Sequence, residues 1–387
     1  MGHKLSGSIF QAVEKQYATY EYYRDTVAKS GLTIADLKRV IENEEYHRLP
    51  SVVTLDFKVS AAKINLLNNL DRKDGTFMVS SSTSGDISYI YCSQSDLDYI
   101  ASFYTKGSEF SDSENGFIFI PPVEMLHKSY SKLSLHGKPT ISRMIPAYRG
   151  AEKHFNMNDM LSINLPVYLK NKLTNTSSIN MFQYLNVKKL EKIASRDASQ
   201  DKTITFVGLL FLMNAFIKEN AEQLKALNLT VNVATAGGGW SGRKGKFVME
   251  PISKPGFVKQ FGEHFNMKNN SKISDVYSFC ESPVSHRGFY EDELQDYRYR
   301  VDEESIVYAL DLNSRKPVKK GEEGLFLIIN PRGCEYSCNA VVLQMDTIKV
   351  LETYDNGSVK EFTQVRRVEG LPAEGCAYKA NEIIKTA

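Results

Sequence analysis

Apolar positions recur at helical spacing over Ser6–Ser30, where Phe10, Tyr17, Tyr20 and Tyr22 mark an irregular face, and the spacing predicts a helix. A second helix is expected over Thr33–Glu42, with Thr33 and Asp36 spaced as a cap and a first-turn acid. Leu49-Pro50-Ser51 ends that pattern. Short helices follow at Ala61–Leu70 and Asp96–Thr105, and short strands at Thr76–Ser80 and Gly116–Ile120. Ile179–Ile193 reads as a helix. Asp201–Gly208 then reads as a strand, Leu209–Leu227 as a helix and Val231–Ala236 as a strand. Strand, helix and strand within about thirty residues form the βαβ unit of a parallel sheet. Gly245–Phe265 offers a further crossover, broken early by Pro251 and Pro255, and Asp275–Phe279 a further strand.

After Arg300 the pattern changes. Ser305–Asp311, Leu325–Ile329, Ala340–Gln344, Ile348–Leu351 and Ser358–Val365 read as successive antiparallel strands, with Asp355-Asn356-Gly357 as a hairpin turn. The expected class is α/β: residues 1–300 form a large domain with a parallel sheet and helices, and residues 301–387 a smaller β-rich region.

Composition narrows the function classes. The 387 residues are 42% apolar, enough for a sizeable core, and the formal net charge is +2. No basic tail or charge run argues for nucleic acid. The most apolar stretch, Ile204–Phe216, is shorter than the ~20 residues of a membrane span. The N-terminal residues lack the apolar core of a signal peptide, and five irregularly spaced cysteines suit a reducing cytoplasm. Cys334 and Cys338 are four apart, but no second pair or flanking histidine completes a zinc pattern.

Four segments carry candidate chemistry. Val231–Ala236 runs into Gly237-Gly238-Gly239 and the chain's only tryptophan, Trp240. Glycines let the backbone approach a ligand closely, although a tight connection needs them equally. Ser80 to Ser84 set five hydroxyls ahead of Gly85, able to cradle phosphate oxygens, as a polar surface loop would also look. Asp275–Glu281 places Tyr277 and Phe279 between two carboxylates: a ring can stack on adenine and Glu281 can hold a phosphate-bound magnesium ion. Asp346 can take both ribose hydroxyls, or be an ordinary turn aspartate between two strands. Near the C-terminus, Cys376 is either a mobile nucleophile or a buried structural thiol.

Taken together these residues resemble the acyl-protein synthetase family of bacterial bioluminescence, within the adenylate-forming enzymes. The family's hydroxyl-rich phosphate loop resembles Ser80–Gly85, with Ser82 where the family has glycine. Its Thr-Gly-Gly-Gly-Trp element is similar to Thr235–Trp240, and its Ala-Leu-Asp stretch to Tyr308–Asp311. The ending Val365-Arg366-Arg367 with Gly375-Cys376-Ala377 matches the self-acylating branch. Two family elements are replaced, by Asp296–Arg300 and by Glu335–Asn339.

The resemblance implies an adenylate-forming fold and the use of ATP with Mg2+ to convert a carboxylic acid, fatty by family habit, to an acyl-adenylate. Ser81, Ser82, Thr83, Ser84 and Gly85 would hold the phosphates, Gly237, Gly238, Gly239 and Trp240 would line the site, and Tyr277 would meet the adenine. Asp346 would bind the ribose, Glu281 the metal, and Lys244 or Arg366 would offset charge. Cys376 would then accept the acyl group and pass it to a reductase or carrier protein. Two alternatives stand beside this: a ligase transferring to coenzyme A, a carrier protein or an amine, and an inactive scaffold that kept the fold.

Overall fold

The computed structural model describes residues 2–58, 61–80, 87–104, 115–120, 135–153, 187–196, 203–238, 240, 252–267 and 273–368. The N-terminal helical stretch is two helices, Gly2–Thr19 and Glu21–Lys29, because Tyr20 between them is extended (φ −110°, ψ 116°). Helix Ile34–Glu42 starts where its cap predicts. The Thr33 hydroxyl accepts the Asp36 N–H at 3.2 Å, and the Asp36 carboxylate accepts the Thr33 N–H at 2.9 Å.

Fourteen strands are described: β1 Val52–Val53, β2 Thr76–Val79, β3 Tyr89–Cys92, β4 Asn115–Phe119, β5 Thr140–Ser142, β6 Thr203–Leu209, β7 Thr230–Ala236, β8 Ile273–Tyr277, β9 His286–Glu291, β10 Asp296–Arg300, β11 Ile306–Leu310, β12 Glu323–Ile329, β13 Val341–Thr353 and β14 Val359–Arg367. Eleven form one sheet in the order β1-β13-β12-β11-β14-β10-β9-β8-β7-β6-β4, and β3-β2-β5 form a second. Strands β4, β6, β7 and β8 are parallel neighbours, and β8 to β14 pair antiparallel. Strand β13 also pairs with β14, so β11 to β14 close a circuit of pairings. The β-rich stretch thus continues the sheet that the parallel strands begin.

The expected βαβ unit is β6, two helices and β7. The single helix expected over Leu209–Leu227 is Leu210–Glu219 followed by Ala221–Leu227. The break falls at Asn220, whose side-chain amide donates to the Phe216 carbonyl at 2.8 Å, a local alternative to the helical ladder. Helix Lys254–His264 makes the next crossover, with Pro255 in its first turn, where a missing N–H costs nothing. A second difference lies at β13. Two short strands were expected around Asp346, but one thirteen-residue strand runs through it. Its first residues pair with β12 and its later ones with β14, so the polar positions stay within a ladder.

Strand alternation divides the core between the two faces. In β11, Val307 and Ala309 join one apolar cluster and Ile306, Tyr308 and Leu310 the other. Helices Val187–Ala194, Leu210–Glu219 and Lys254–His264 cover the first face; the N-terminal helices and Gln94–Phe103 cover the second. No helix among the described residues is long and apolar enough to cross a membrane.

Candidate functional site

Strands β6, β7 and β8 are parallel, so their carboxyl ends share one edge, where ligands commonly bind in such sheets. On β8 the two-residue repeat points Asp275 and Tyr277 to the same face. Asp275 is buried and fully engaged. It accepts the Thr235 hydroxyl at 2.6 Å, the Trp240 indole N–H at 3.4 Å and the Tyr299 hydroxyl at 2.5 Å. Gly237 and Gly238, at φ +84° and +77°, turn the chain after β7 in a region that favours glycine. Trp240 beyond them is 1% exposed and packs against Phe257 and Tyr297. The described glycines therefore serve architecture directly: they return the indole beneath β7 and β8.

Tyr277 reaches across to β13. Its hydroxyl donates to Asp346 Oδ2 at 2.9 Å, and Arg367 Nη1 donates to Asp346 Oδ1 at 3.2 Å. Register explains the second contact, because Asp346 and Arg367 are direct antiparallel partners on β13 and β14. Arg366, one residue earlier, points to the opposite face, half-exposed, 3.9 Å from Glu323. The structure therefore brings Arg367, and not Arg366, to Asp346. The Tyr277 ring is enclosed by Phe279, Phe326, Tyr299 and Phe362, while Phe279 is only half-buried and is the more accessible ring.

Glu281 follows in the turn after β8 and is buried. The Ser88 hydroxyl donates to its Oε1 at 2.5 Å, and Asn339 donates to its backbone carbonyl at 3.1 Å. Ser88 also closes the base of the hydroxyl-rich loop. Ser80 N donates to the Ser88 carbonyl at 3.1 Å, and Ser88 N to the Ser80 hydroxyl at 2.9 Å. Segments 193 residues apart in sequence thus meet at one carboxylate.

Sequence reasoning missed Lys58, at the end of the 3-10 helix Thr54–Lys58. Burial pushes its ammonium pKa below the ordinary lysine range, with Arg367 acting in the same direction, while Glu281 and Asp346 act against it. Lys58 therefore shares an electrostatic neighbourhood with both acids. No local pattern marks it. The remaining expected residues, Ser81, Ser82, Thr83, Ser84, Gly85, Gly239, Lys244 and Cys376, lie outside the described residues.

Comparison with known proteins bears on the fold and the family. Among curated proteins none matches by sequence. A crystal structure of 2-hydroxyisobutyryl-CoA ligase in complex with 2-HIB-AMP and CoA, in the thioesterification state, is similar over 96% of this chain and 69% of its own. The identity is 13% and the TM-score 0.59. An open conformation of that ligase with the same two ligands is similar over 95% of this chain and 75% of its own, at 14% identity and a TM-score of 0.57. At such identities the likeness is one of fold: a large mixed α/β adenylate-forming domain continued by a smaller β-rich region. A family model described as "Acyl-protein synthetase, LuxE" matches residues 161–385, more than half of the sequence. The chain belongs to the acyl-protein synthetase family.

Proposed function

We propose that this protein uses ATP to activate a carboxylic acid as an acyl-adenylate and transfers the acyl group to a thiol, with coenzyme A as the favoured acceptor. The observation that carries the reading is the junction of three distant segments. Asp346 is gripped by Tyr277 and Arg367, and Glu281 sits at the base of the hydroxyl-rich loop. The family supports adenylate chemistry, and the similar solved ligase, which holds 2-HIB-AMP and CoA, supports the acceptor.

In this reading Ser81 to Gly85 cradle the β- and γ-phosphates. Asp346 accepts the ribose hydroxyls, the aromatic pair Tyr277 and Phe279 borders the adenine, and Gly237–Gly239 let the nucleotide approach backbone, with Trp240 beneath. The donor set around Glu281, a carboxylate beside a serine hydroxyl, offers the hard oxygen ligands that magnesium takes. A magnesium ion carried in with ATP would neutralise phosphate charge. Lys58 and Arg367 add positive charge on the same side, with Lys244 and Arg366 as further candidates. A carboxylate oxygen attacks the α-phosphorus and the bond to pyrophosphate breaks. The thiolate then attacks the acyl carbon and AMP leaves. The first step needs positioning and charge neutralisation rather than a general base.

A second reading keeps the first half-reaction and makes Cys376 the acceptor, from which a reductase or carrier protein would take the acyl group. The family's description as an acyl-protein synthetase favours it. ATP–pyrophosphate exchange across a panel of carboxylic acids, fatty acids included, tests the shared step. Absence of exchange with every acid would leave the inactive-scaffold reading. With an active acid in hand, labelled acyl groups should appear on coenzyme A. Label retained on the protein and lost in Cys376→Ser would instead establish self-acylation.

A further inference from the structure

A buried cluster of metal-ligand side chains lies beside the site and has no part in the proposed reaction. Cys92 ends β3, Asp96 lies in the first turn of helix Gln94–Phe103, and Cys334 lies between β12 and β13. The two sulfurs stand 3.8 Å apart, and these with an Asp96 carboxylate oxygen lie within 4.8 Å of one another. All three residues are buried: Cys92 is 0%, Asp96 1% and Cys334 5% exposed. The hydrogen bonds to the Asp96 carboxylate, from Ser93 N, Ser93 Oγ and Glu335 N, all end on Oδ2 and leave Oδ1 to another partner.

A second observation points the same way. Arg143, 3% exposed, has Nε and Nη2 buried without hydrogen-bond partners, its Nη1 meets the Met78 sulfur at 3.5 Å, and its guanidinium carbon stands 5.9 Å from the centre of the Tyr104 ring. It interacts electrostatically with Tyr104, Cys280 and Cys334, and with Cys92. A guanidinium cannot shed its charge, and an uncompensated buried one costs several kcal/mol. Its placement calls for negative charge that neutral thiols and a phenol do not supply.

We propose that Cys92, Cys334 and Asp96 bind a thiophilic divalent cation of the zinc class. Sulfurs each about 2.3 Å from a tetrahedral zinc lie about 3.8 Å apart, whereas a disulfide needs about 2.05 Å. Two thiolates and a carboxylate around a dication leave one net negative charge, which Arg143 balances. Binding releases both thiol protons to solvent and requires no oxidant. In the metal-free protein the Cys92 thiol meets the Cys334 sulfur, and a bound cation would displace both protons. The bound ion would tie β3, which follows Ser88, to the segment that enters β13 and Asp346.

The test is a Co2+ titration of the full chain, purified under reducing conditions and stripped with a chelator. About one Co2+ per chain should bind, with thiolate-to-cobalt charge-transfer absorption and tetrahedral visible bands. Cys92→Ser and Cys334→Ser should each weaken binding at least about tenfold, as second and first ligands do. Asp96→Asn should weaken it while keeping the charge-transfer band, and Cys280→Ser and Cys338→Ser should leave it intact. Wild-type protein with no charge-transfer band at excess Co2+ would overturn the proposal, whatever the variants' folding. So would equal losses in Cys280→Ser and Cys338→Ser. Reversible loss of two titratable thiols in place of metal binding would make the pair a disulfide and also overturn it.

Discussion

Strands β4, β6, β7 and β8 run parallel and are filled by apolar and small polar residues, whereas β9 to β14 run antiparallel and weave charged pairs among their apolar positions. In the parallel half, Asp275 is the only charged residue within the four strands, and three donors hold it. The antiparallel half pairs Arg298 with Glu291 and Glu361, Lys360 with Glu352, and Arg367 with Asp346. Helices on both faces explain the first pattern, since a strand covered on both sides has little room for charge. Exposure along part of the antiparallel half permits the second. The candidate site lies where they meet: β8 contributes Tyr277 and the turn bearing Glu281, and β13 and β14 contribute Asp346 and Arg367. The parallel half supplies Tyr277 and one carboxylate, and the antiparallel half an ion pair.

That contrast can be broken at its seam. Asp275→Ala removes the acceptor of the buried Trp240 indole and Tyr299 hydroxyl, while the Thr235 hydroxyl keeps the Ser274 carbonyl, and should destabilise the fold by about 3–5 kcal/mol in urea unfolding. A loss below about 1 kcal/mol would show that the donors find other partners and that Asp275 does not join the halves. Within the parallel half the expected sensitivity is to volume. Gly208 has φ +135°, and a Cβ there would stand 2.4 Å from the Phe119 carbonyl oxygen. Gly208→Ala should therefore cost about 3 kcal/mol, from backbone strain plus the clash with β4. An unchanged thermal midpoint would contradict the close packing of β4 on β6.

Within the antiparallel half the expected sensitivity is to charge. Arg367→Met should lower kcat/KM for ATP about a hundredfold by releasing Asp346, with thermal stability measured alongside to separate fold from function. Arg366→Met, on the opposite face, should leave both within about 0.5 kcal/mol of wild type. Equal effects from the two would dissolve the distinction that the β13–β14 register draws.

A single pH unit should shift stability less than any of the destabilising substitutions above. His286, at the start of β9, is buried beside Phe326 and Phe362, and burial pushes its pKa down to about 3. The folded state therefore binds fewer protons than the unfolded state. Stability is complete above the unfolded value near 6.5 and falls as pH drops toward about 3, by up to about 1.4 kcal/mol per pH unit. Urea unfolding at a series of pH values should show this slope in wild type and a shallower one in His286→Gln. Identical slopes would assign the acid sensitivity to carboxylates instead.

Local signals made much of this fold readable. The Thr33–Asp36 cap, the β6-helix-β7 unit and the turn at Asn356-Gly357 each depend on residues close in sequence. The division of Leu209–Leu227 into two helices was less readable, because Asn220 breaks an otherwise continuous apolar pattern only through its own side-chain hydrogen bond. The site was legible as separate acids and glycines. Its contacts were not: Ser88 meets Glu281 across about half the chain, and Lys58 shares its field with Glu281 and Asp346 across more.

From the sequence by itself came most element types and the antiparallel pattern after Arg300, because side-chain period and turn chemistry are local properties, but not the antiparallel strands β9 and β10 that precede it. Tertiary structure alone decided which arginine faces Asp346, since adjacent residues on a strand point to opposite faces and only register with β13 selects between them. It also turned Trp240 into a core anchor and set Cys92 against Cys334 near the buried Arg143 guanidinium. Those arrangements depend on chain closure over tens to hundreds of residues, which no local spacing encodes.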